Sequence, residues 1–282
     1  MNWMKDIKAL IFDMDGTLYQ DYSFMGRYIS KMMADSFPER EIEETVTWAY
    51  DILEGKRPIK LGFMYNPAEL VFYSHKDLQP TASFSWEGIE TELAVNAEVP
   101  LAYLGDPWGI AQLMAVKKKI PVEVREQAFT DVRAEMLEEA YCIIKRTDLF
   151  DEIGKLEDKR VILMTNSPLP TAQEFVDFME INDVFDEFHF DGKKPHGIKE
   201  LFTKLVSEGY QPHEILSVGD HPWNDLYPVH QAGGHTCLIS EYKHDDTTGW
   251  TVSVETIDEL VELMRKLNEE SMIANGKEET YG

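Results

Sequence analysis

The chain of 282 residues is 43% hydrophobic and 28% charged, with a formal net charge of −25 from 27 basic and 52 acidic side chains. That length buries a sizeable core, either as one large domain or as a core plus an insert, and the apolar fraction excludes wholesale disorder. The charge repels a phosphate backbone, so no nucleic-acid polymer is expected as a partner, and no apolar run approaches the ~20 residues of a membrane span.

The first residues, Met1 to Asp6, lack a signal-peptide layout, and Cys142 and Cys237 alone offer no disulfide framework. The expectation is a soluble, cytoplasmic protein without membrane partners. The first apolar segment, Ile7–Phe12, is short and β-branched and reads as a strand. It runs into Asp13-Met14-Asp15-Gly16-Thr17. Ligands of a parallel sheet bind beyond the carboxyl ends of its strands, and in a strand-like register Asp13 and Asp15 share a side. Two adjacent carboxylates repel unless a cation compensates, and a hard divalent ion such as Mg²⁺ does so with oxygen ligands. Asp and Gly are equally at home in an acidic strand-end turn.

From about residue 19 to 149 the alternation of strand and helix fails, over far more chain than a crossover connection needs. Helical stripes run through Phe24, Tyr28 and Met32, through Ile42, Val46, Ala49 and Leu53, and through Val132, Met136, Ala140 and Ile143. Ser83–Trp86 and Val99–Leu104 read more like strands. The simplest reading is an inserted, mainly helical domain. Its Trp48, Trp86 and Trp108 read as core aromatics before a wall for a ligand, and Lys117-Lys118-Lys119 as a solvated helix end.

The strand-like Arg160–Met164 ends in Thr165-Asn166-Ser167, whose hydroxyl and amide groups suit either a phosphoryl oxygen or the cap of the next helix. A stripe of Ala172, Val176 and Met179 follows. Glu187–Phe190 leads to Asp191-Gly192-Lys193-Lys194-Pro195, where a lysine is placed to neutralise phosphate or simply to face water, ahead of the stripe Ile198, Phe202 and Leu205. Ile215–Val218 ends in Gly219-Asp220-His221-Pro222-Trp223-Asn224-Asp225: a third strand-end carboxylate, then an acid one turn further on that suits a ligand water, Lys194 or merely a helix start. His235–Ile239 reads as the last strand. Thr256 and Glu259 form a capping-box pattern ahead of Leu260, Leu263 and Leu267, and the tail from 269 to 282 loses its period and is expected to fray. The eight histidines have no zinc-ligand spacing.

Each signal is modest alone, but acids, hydroxyl, lysine and acids each follow a strand, with the long gap after the first. In this order DMDGT, MTNS, KKP and GDHPWND resemble the four motifs of the haloacid dehalogenase-like (HAD) hydrolase superfamily. The resemblance implies an α/β, Rossmann-like three-layer sandwich with a parallel sheet. Residues 1–18 and 150–268 would form the catalytic core, and 19–149 a type 1 cap inserted after the first strand. It implies a Mg²⁺-dependent phosphatase acting on a small phosphorylated metabolite. Asp13 would be nucleophile and metal ligand; Asp15 acid, base and metal ligand through its carbonyl; Asp220 the remaining metal ligand. Thr165, Asn166 and Lys194 would hold the phosphoryl group, with Asp225 in support; the lysine–proline pairing favours Lys194 over Lys193. A phosphoglucomutase-type transfer and a non-catalytic phosphate-binding protein are the alternatives.

Overall fold

A computed structural model describes residues 3–274. The elements of the first part, in chain order, are β1 (Ala9–Phe12), α1 (Phe24–Met33), α2 (Glu39–Leu53), β2 (Met64–Asn66), β3 (Val71–Lys76), β4 (Gln79–Phe84), β5 (Glu90–Thr91), β6 (Ala102–Tyr103), α3 (Pro107–Lys117) and α4 (Val122–Glu135). The second part adds α5 (Thr147–Gly154), β7 (Arg160–Met164), α6 (Thr171–Met179), β8 (Glu187–His189), α7 (His196–Ser207), β9 (Ile215–Gly219), α8 (Tyr227–Gln231), β10 (His235–Ile239), β11 (Val252–Val254) and α9 (Ile257–Ala274). Two compact units result: residues 3–20, 143–241 and 250–274 in one, and 21–142 with 242–249 in the other.

The first unit is the expected Rossmann-like α/β core. Its six strands lie in the order β11-β10-β9-β1-β7-β8, and every pairing is parallel. All four residues of β1 are buried, as a parallel strand covered on both faces requires. One face packs Ala9, Ile11, Ile162 and Met164 against Ile198, Leu201, Phe202 and Leu205 of α7 and Val229 of α8. Leu10 and Phe12 occupy the other side of the pleat and are also fully buried. β1 sits between β7 and β9, in a register that aligns Phe12 with both Leu163 and Val218. The chain leaves β1 for neighbours on either side of it, so the carboxyl ends of β1, β7 and β9 border one crevice, the usual place for a ligand in an open α/β sheet.

The five core segments read from the sequence are all strands. The edge strand β11 was not expected; three residues leave no alternation to detect. The capping pattern holds in part: Thr256 Oγ1 accepts from Glu259 N at 3.3 Å, while the Glu259 carboxylate accepts from Glu255 N, one residue before the cap, at 2.7 Å. The helix behind it does not fray at 269 but runs to Ala274. Tertiary bonds hold that last part: Asn268 Nδ2 donates to Glu152 O at 3.0 Å, and Ser271 Oγ accepts from the buried Lys159 at 2.6 Å. The remainder of the expected tail, 275–282, lies outside the described residues. No helix among the described residues is long and apolar enough to cross a membrane.

In the second unit α1 packs against α2, α3 and α4. Beside the helices lies an antiparallel sheet, β5-β4-β3-β2-β6. The two strand-like stretches expected there match β4 and β6 in part, while β2, β3 and β5 are additions. The last expected stripe is helical only as far as Glu135, and Met136 to Ile143 fall in turns and loop. Residues 242–249 join this unit although they follow a core strand. Asp245 N donates to Leu61 O at 2.7 Å, Tyr103 Oη donates to Asp246 Oδ2 at 3.0 Å, and Tyr242 meets Tyr22 edge-on. The tryptophans are half-buried in stacks: Trp108 on Phe24 at 3.8 Å, and Trp48 on Trp86 at 5.1 Å with Arg57 over Trp48. Lys117 lies over Trp86, and Lys118 reaches Glu41 at 2.6 Å.

Burial raises the Tyr28 and Tyr65 phenols of this unit from 10.0 to about 12. A neutral acid whose folded pKa is raised keeps its full stability below the unfolded value and loses it as pH climbs through the folded one. The melting temperature is therefore expected to fall between pH 10 and 12. Tyr28→Phe with Tyr65→Phe should reduce that fall by ~2 kcal/mol per ring, read from thermal melts across the range.

Candidate active site

The loop after β1 is built to present acids. Asp13 N donates to Val218 O at 2.9 Å, which carries the strand register one residue further. The chain then tightens, with Leu18 N donating to Met14 O at 2.9 Å. Gly16 has φ +79°, and a Cβ there would overlap the Asp220 carboxylate. Glycine thus serves both the left-handed backbone and the close approach of β1's loop to β9's. The same holds at the end of β9, where a Cβ on Gly219 would overlap Asp225.

Asp13, Asp220 and Asp225 each offer an oxygen, and these three oxygens lie within 4.8 Å of one another. Lys194 Nζ donates to Asp13 Oδ1 at 2.6 Å and to Asp225 Oδ1 at 2.5 Å, with the lysine side chain only 3% exposed. Lys193 is 77% exposed and faces Asp191, so the geometry separates the two lysines. Burial raises the Asp13 carboxyl to about 7; Lys194 works against that shift, and Asp225 and Asp15 add to it. Burial also acts to lower the Lys194 ammonium, but Asp13 and Asp225 overcome it and hold the pKa above the ordinary value.

Asp15 is turned to a different set of partners. Its Oδ1 accepts from Tyr19, and its Oδ2 accepts from Ser167 Oγ at 2.9 Å and from Thr165 Oγ1 at 3.5 Å. Its side chain is not one of the three grouped carboxylates. Thr165 also accepts from Ser167 N at 3.0 Å, which fixes the turn after β7. Asn166 spends both ends of its amide on the Lys194 backbone: Oδ1 accepts from Lys194 N at 2.7 Å and Nδ2 donates to Lys194 O at 3.3 Å. Asp225 sits in a π-helical turn, Pro222–Leu226. Its Oδ2 accepts from His221 N at 3.1 Å, and its carbonyl accepts from Ser217 Oγ at 2.7 Å. Every predicted residue therefore lies in one neighbourhood, as carboxylate cluster, lysine or scaffold of these. Tyr19, Ser167 and Ser217 were not anticipated in these roles; only Ser167 carried a signal, in its place beside Thr165.

The donor set fits Mg²⁺. Three carboxylates face one ammonium, an excess of two negative charges, and all three are hard oxygen donors. The upward push on Asp13 comes first from burial, and the neighbouring Asp225 and Asp15 add to it.

The sequence matches the haloacid dehalogenase-like hydrolase family over residues 7–233, and the chain belongs to that family. Among curated proteins none matches it. Its fold is similar to that of a predicted phosphoglycolate phosphatase from Haemophilus somnus 129pt, at 17% identity and TM-score 0.52, over 90% of this chain and 97% of the other. It is similar also to magnesium-bound YfnB of Bacillus subtilis, at 13% identity and TM-score 0.52, over 92% of this chain and 99% of that one.

Gly16→Ala should displace Asp220 and cost ~100-fold or more in turnover while the fold survives. Calorimetric Mg²⁺ titration and activity assays check this, with Gly249→Ala, where nothing lies within 4 Å, as the control.

Proposed function

We propose that this HAD-like hydrolase is a Mg²⁺-dependent phosphatase that cleaves a small phosphomonoester through a phospho-aspartate on Asp13. The observation that carries the reading is the Asp13 carboxylate held by Lys194 inside a cluster of two further acids, with Asp15 close in sequence but bound to separate partners.

In the first step Asp13 attacks phosphorus, the bond to the ester oxygen breaks, and Asp15 gives its proton to the departing alkoxide. In the second, Asp15 takes a proton from water as that water attacks the acyl phosphate, which releases inorganic phosphate and restores Asp13. Tyr19, Ser167 and Thr165 fix the direction in which Asp15 presents its carboxyl group. Lys194 balances charge on the transferring group, and Asn166 and Asp225 aim it. Asp13, Asp220 and the Asp15 carbonyl would hold the cation, with Asp225 in support. Bound Mg²⁺ supplies the positive charge that lets a carboxylate approach a phosphate dianion. The net charge of −25 disfavours a polyanionic polymer as substrate, and a small substrate is what the resemblance to cap-bearing members of the family implies.

The test is a panel of phosphorylated metabolites with p-nitrophenyl phosphate. Free phosphate should appear with Mg²⁺ and vanish on EDTA treatment. An isomer with little free phosphate would point to a mutase; binding of Mg²⁺ and phosphate mimics without turnover would point to a non-catalytic protein.

A further inference from the structure

Asp13 and Asp220 follow strands directly, but Asp225 stands further on, in the π-helical turn Pro222–Leu226. That turn closes with a backbone bond from Tyr227 N to Pro222 O. So short a turn has little cooperativity of its own, and Pro222 at its first position has no N–H to offer. The Asp225 carboxylate is held closely all the same. Its Oδ1 accepts from Lys194 Nζ at 2.5 Å, and a Cβ on Gly219 would overlap it.

Two neutral side chains brace the turn. Ser217, within β9 and 1% exposed, donates from Oγ to Asp225 O at 2.7 Å. His221, 8% exposed, caps the turn, its Nδ1 accepting from Asn224 N at 3.2 Å. The amide of residue 224 and the carbonyl of residue 225 are thereby both fixed, one on each side of the Asp225 side chain. The His221 backbone N–H also donates to Asp225 Oδ2, at 3.1 Å. Any residue but proline could make that bond; the cap through Nδ1 is what histidine contributes.

Ser, Thr, Asn and Asp are the usual residues at such a cap. Aspartate here would add a fourth carboxylate to the three that face the Lys194 ammonium. An imidazole that accepts through Nδ1 carries its proton on Nε2 and is neutral, so this cap brings no charge to the cluster.

We propose that His221, together with Ser217, is a positioning residue of the active site: its ring fixes the turn that sets the Asp225 carboxylate, and Asp225 shares the Lys194 ammonium with Asp13. Its part in turnover rests on the phosphatase reading; its placement of Asp225 does not. Without the cap the turn slackens, Asp225 withdraws from Lys194, and the ammonium is left to Asp13, 2.6 Å away. There it opposes a metal cation at the Asp13 carboxylate.

The experiment compares the wild type with His221→Ala, His221→Asn and Ser217→Ala in the full chain. His221→Ala should weaken Mg²⁺ binding ~10-fold in calorimetric titration and lower kcat on p-nitrophenyl phosphate ~10-fold or more, with KM changed less than ~2-fold, as loss of a group that orients a metal ligand does. His221→Asn restores a neutral cap and should recover most of both losses. Ser217→Ala removes the other brace and should resemble His221→Ala. Proton–nitrogen NMR of the wild type at pH 8 should show Nδ1 of His221 unprotonated, the signals assigned by their absence from His221→Asn. Circular dichroism melts accompany each variant; if His221→Ala does not fold, His221→Asn, Ser217→Ala and the NMR carry the test. A folded His221→Ala with wild-type Mg²⁺ affinity and kcat, an Asn variant no better than the Ala variant, or a proton on Nδ1 overturns the role. A wild type that binds Mg²⁺ without turnover would remove the phosphatase reading alone, and the Mg²⁺ affinities of the variants would still decide the placement of Asp225.

Discussion

Asp13→Asn is expected to lower kcat by at least ~1,000-fold while leaving the fold intact. The amide matches the carboxylate in size but has neither its negative charge nor its nucleophilic oxygen, so no acyl phosphate forms. Quenching the wild type during turnover of a radiolabelled phosphoester should trap label on the protein that hydroxylamine releases; the variant should carry none. Stability separates this from unfolding. Burial already drives the Asp13 carboxyl to about 7, so the cation-free cluster resists its charge. In EDTA at pH 8 the Asn variant should therefore melt no lower than the wild type. Full turnover by Asp13→Asn, or label on it, would remove Asp13 as nucleophile.

The core could be read from the sequence because its strands are buried on both faces and so appear as short continuous apolar runs with turn residues behind them. β1 and β9 are buried at every position. The second unit hid part of its structure for three separate reasons. α3 is apolar around its circumference, with Ile110, Ala111, Leu113, Met114 and Ala115 all buried, so it has no stripe. The hairpin β3–β4 turns at Asp77 and Leu78 with φ of 49° and 63°, values that a sequence usually signals with Asn-Gly. The pairing also shifts at Ser74/His75, which breaks the alternation.

Site residues that follow strands directly were legible because strand ends place them: Asp13 after β1, Thr165 after β7, Asp220 after β9. What supports them was not. Asn166 holds the Lys194 backbone across 28 residues of chain, and Ser167 reaches Asp15 across 152. Spacing along the chain carries no trace of such contacts. Tyr19, four residues from Asp15, is buried like a core aromatic, yet its hydroxyl ends on the carboxylate.

Lys194→Met tests the charge balance of the whole site. Methionine keeps the packing of the stem and removes the ammonium, leaving Asp13 and Asp225, 8% and 2% exposed, without their shared cation and with Asp220 beside them. Removing one partner of a buried ion pair costs about 3–5 kcal/mol, because the remaining charges keep their desolvation penalty. In EDTA near neutral pH the variant should lose stability of that order. Mg²⁺ should restore part of it, since a ligand that binds only the folded state stabilises in proportion to the logarithm of its concentration over Kd. The cation should also bind more tightly than in the wild type, because it no longer competes with a neighbouring positive charge for Asp13. Turnover should still fall ~100-fold or more, as the transferring group loses its ammonium. Thermal melts with and without Mg²⁺, calorimetric Mg²⁺ titration and steady-state kinetics read the three effects independently. A variant as stable as the wild type in EDTA, with weaker Mg²⁺ binding, would mean that Lys194 does not compensate these carboxylates and that the cluster is not a cation site.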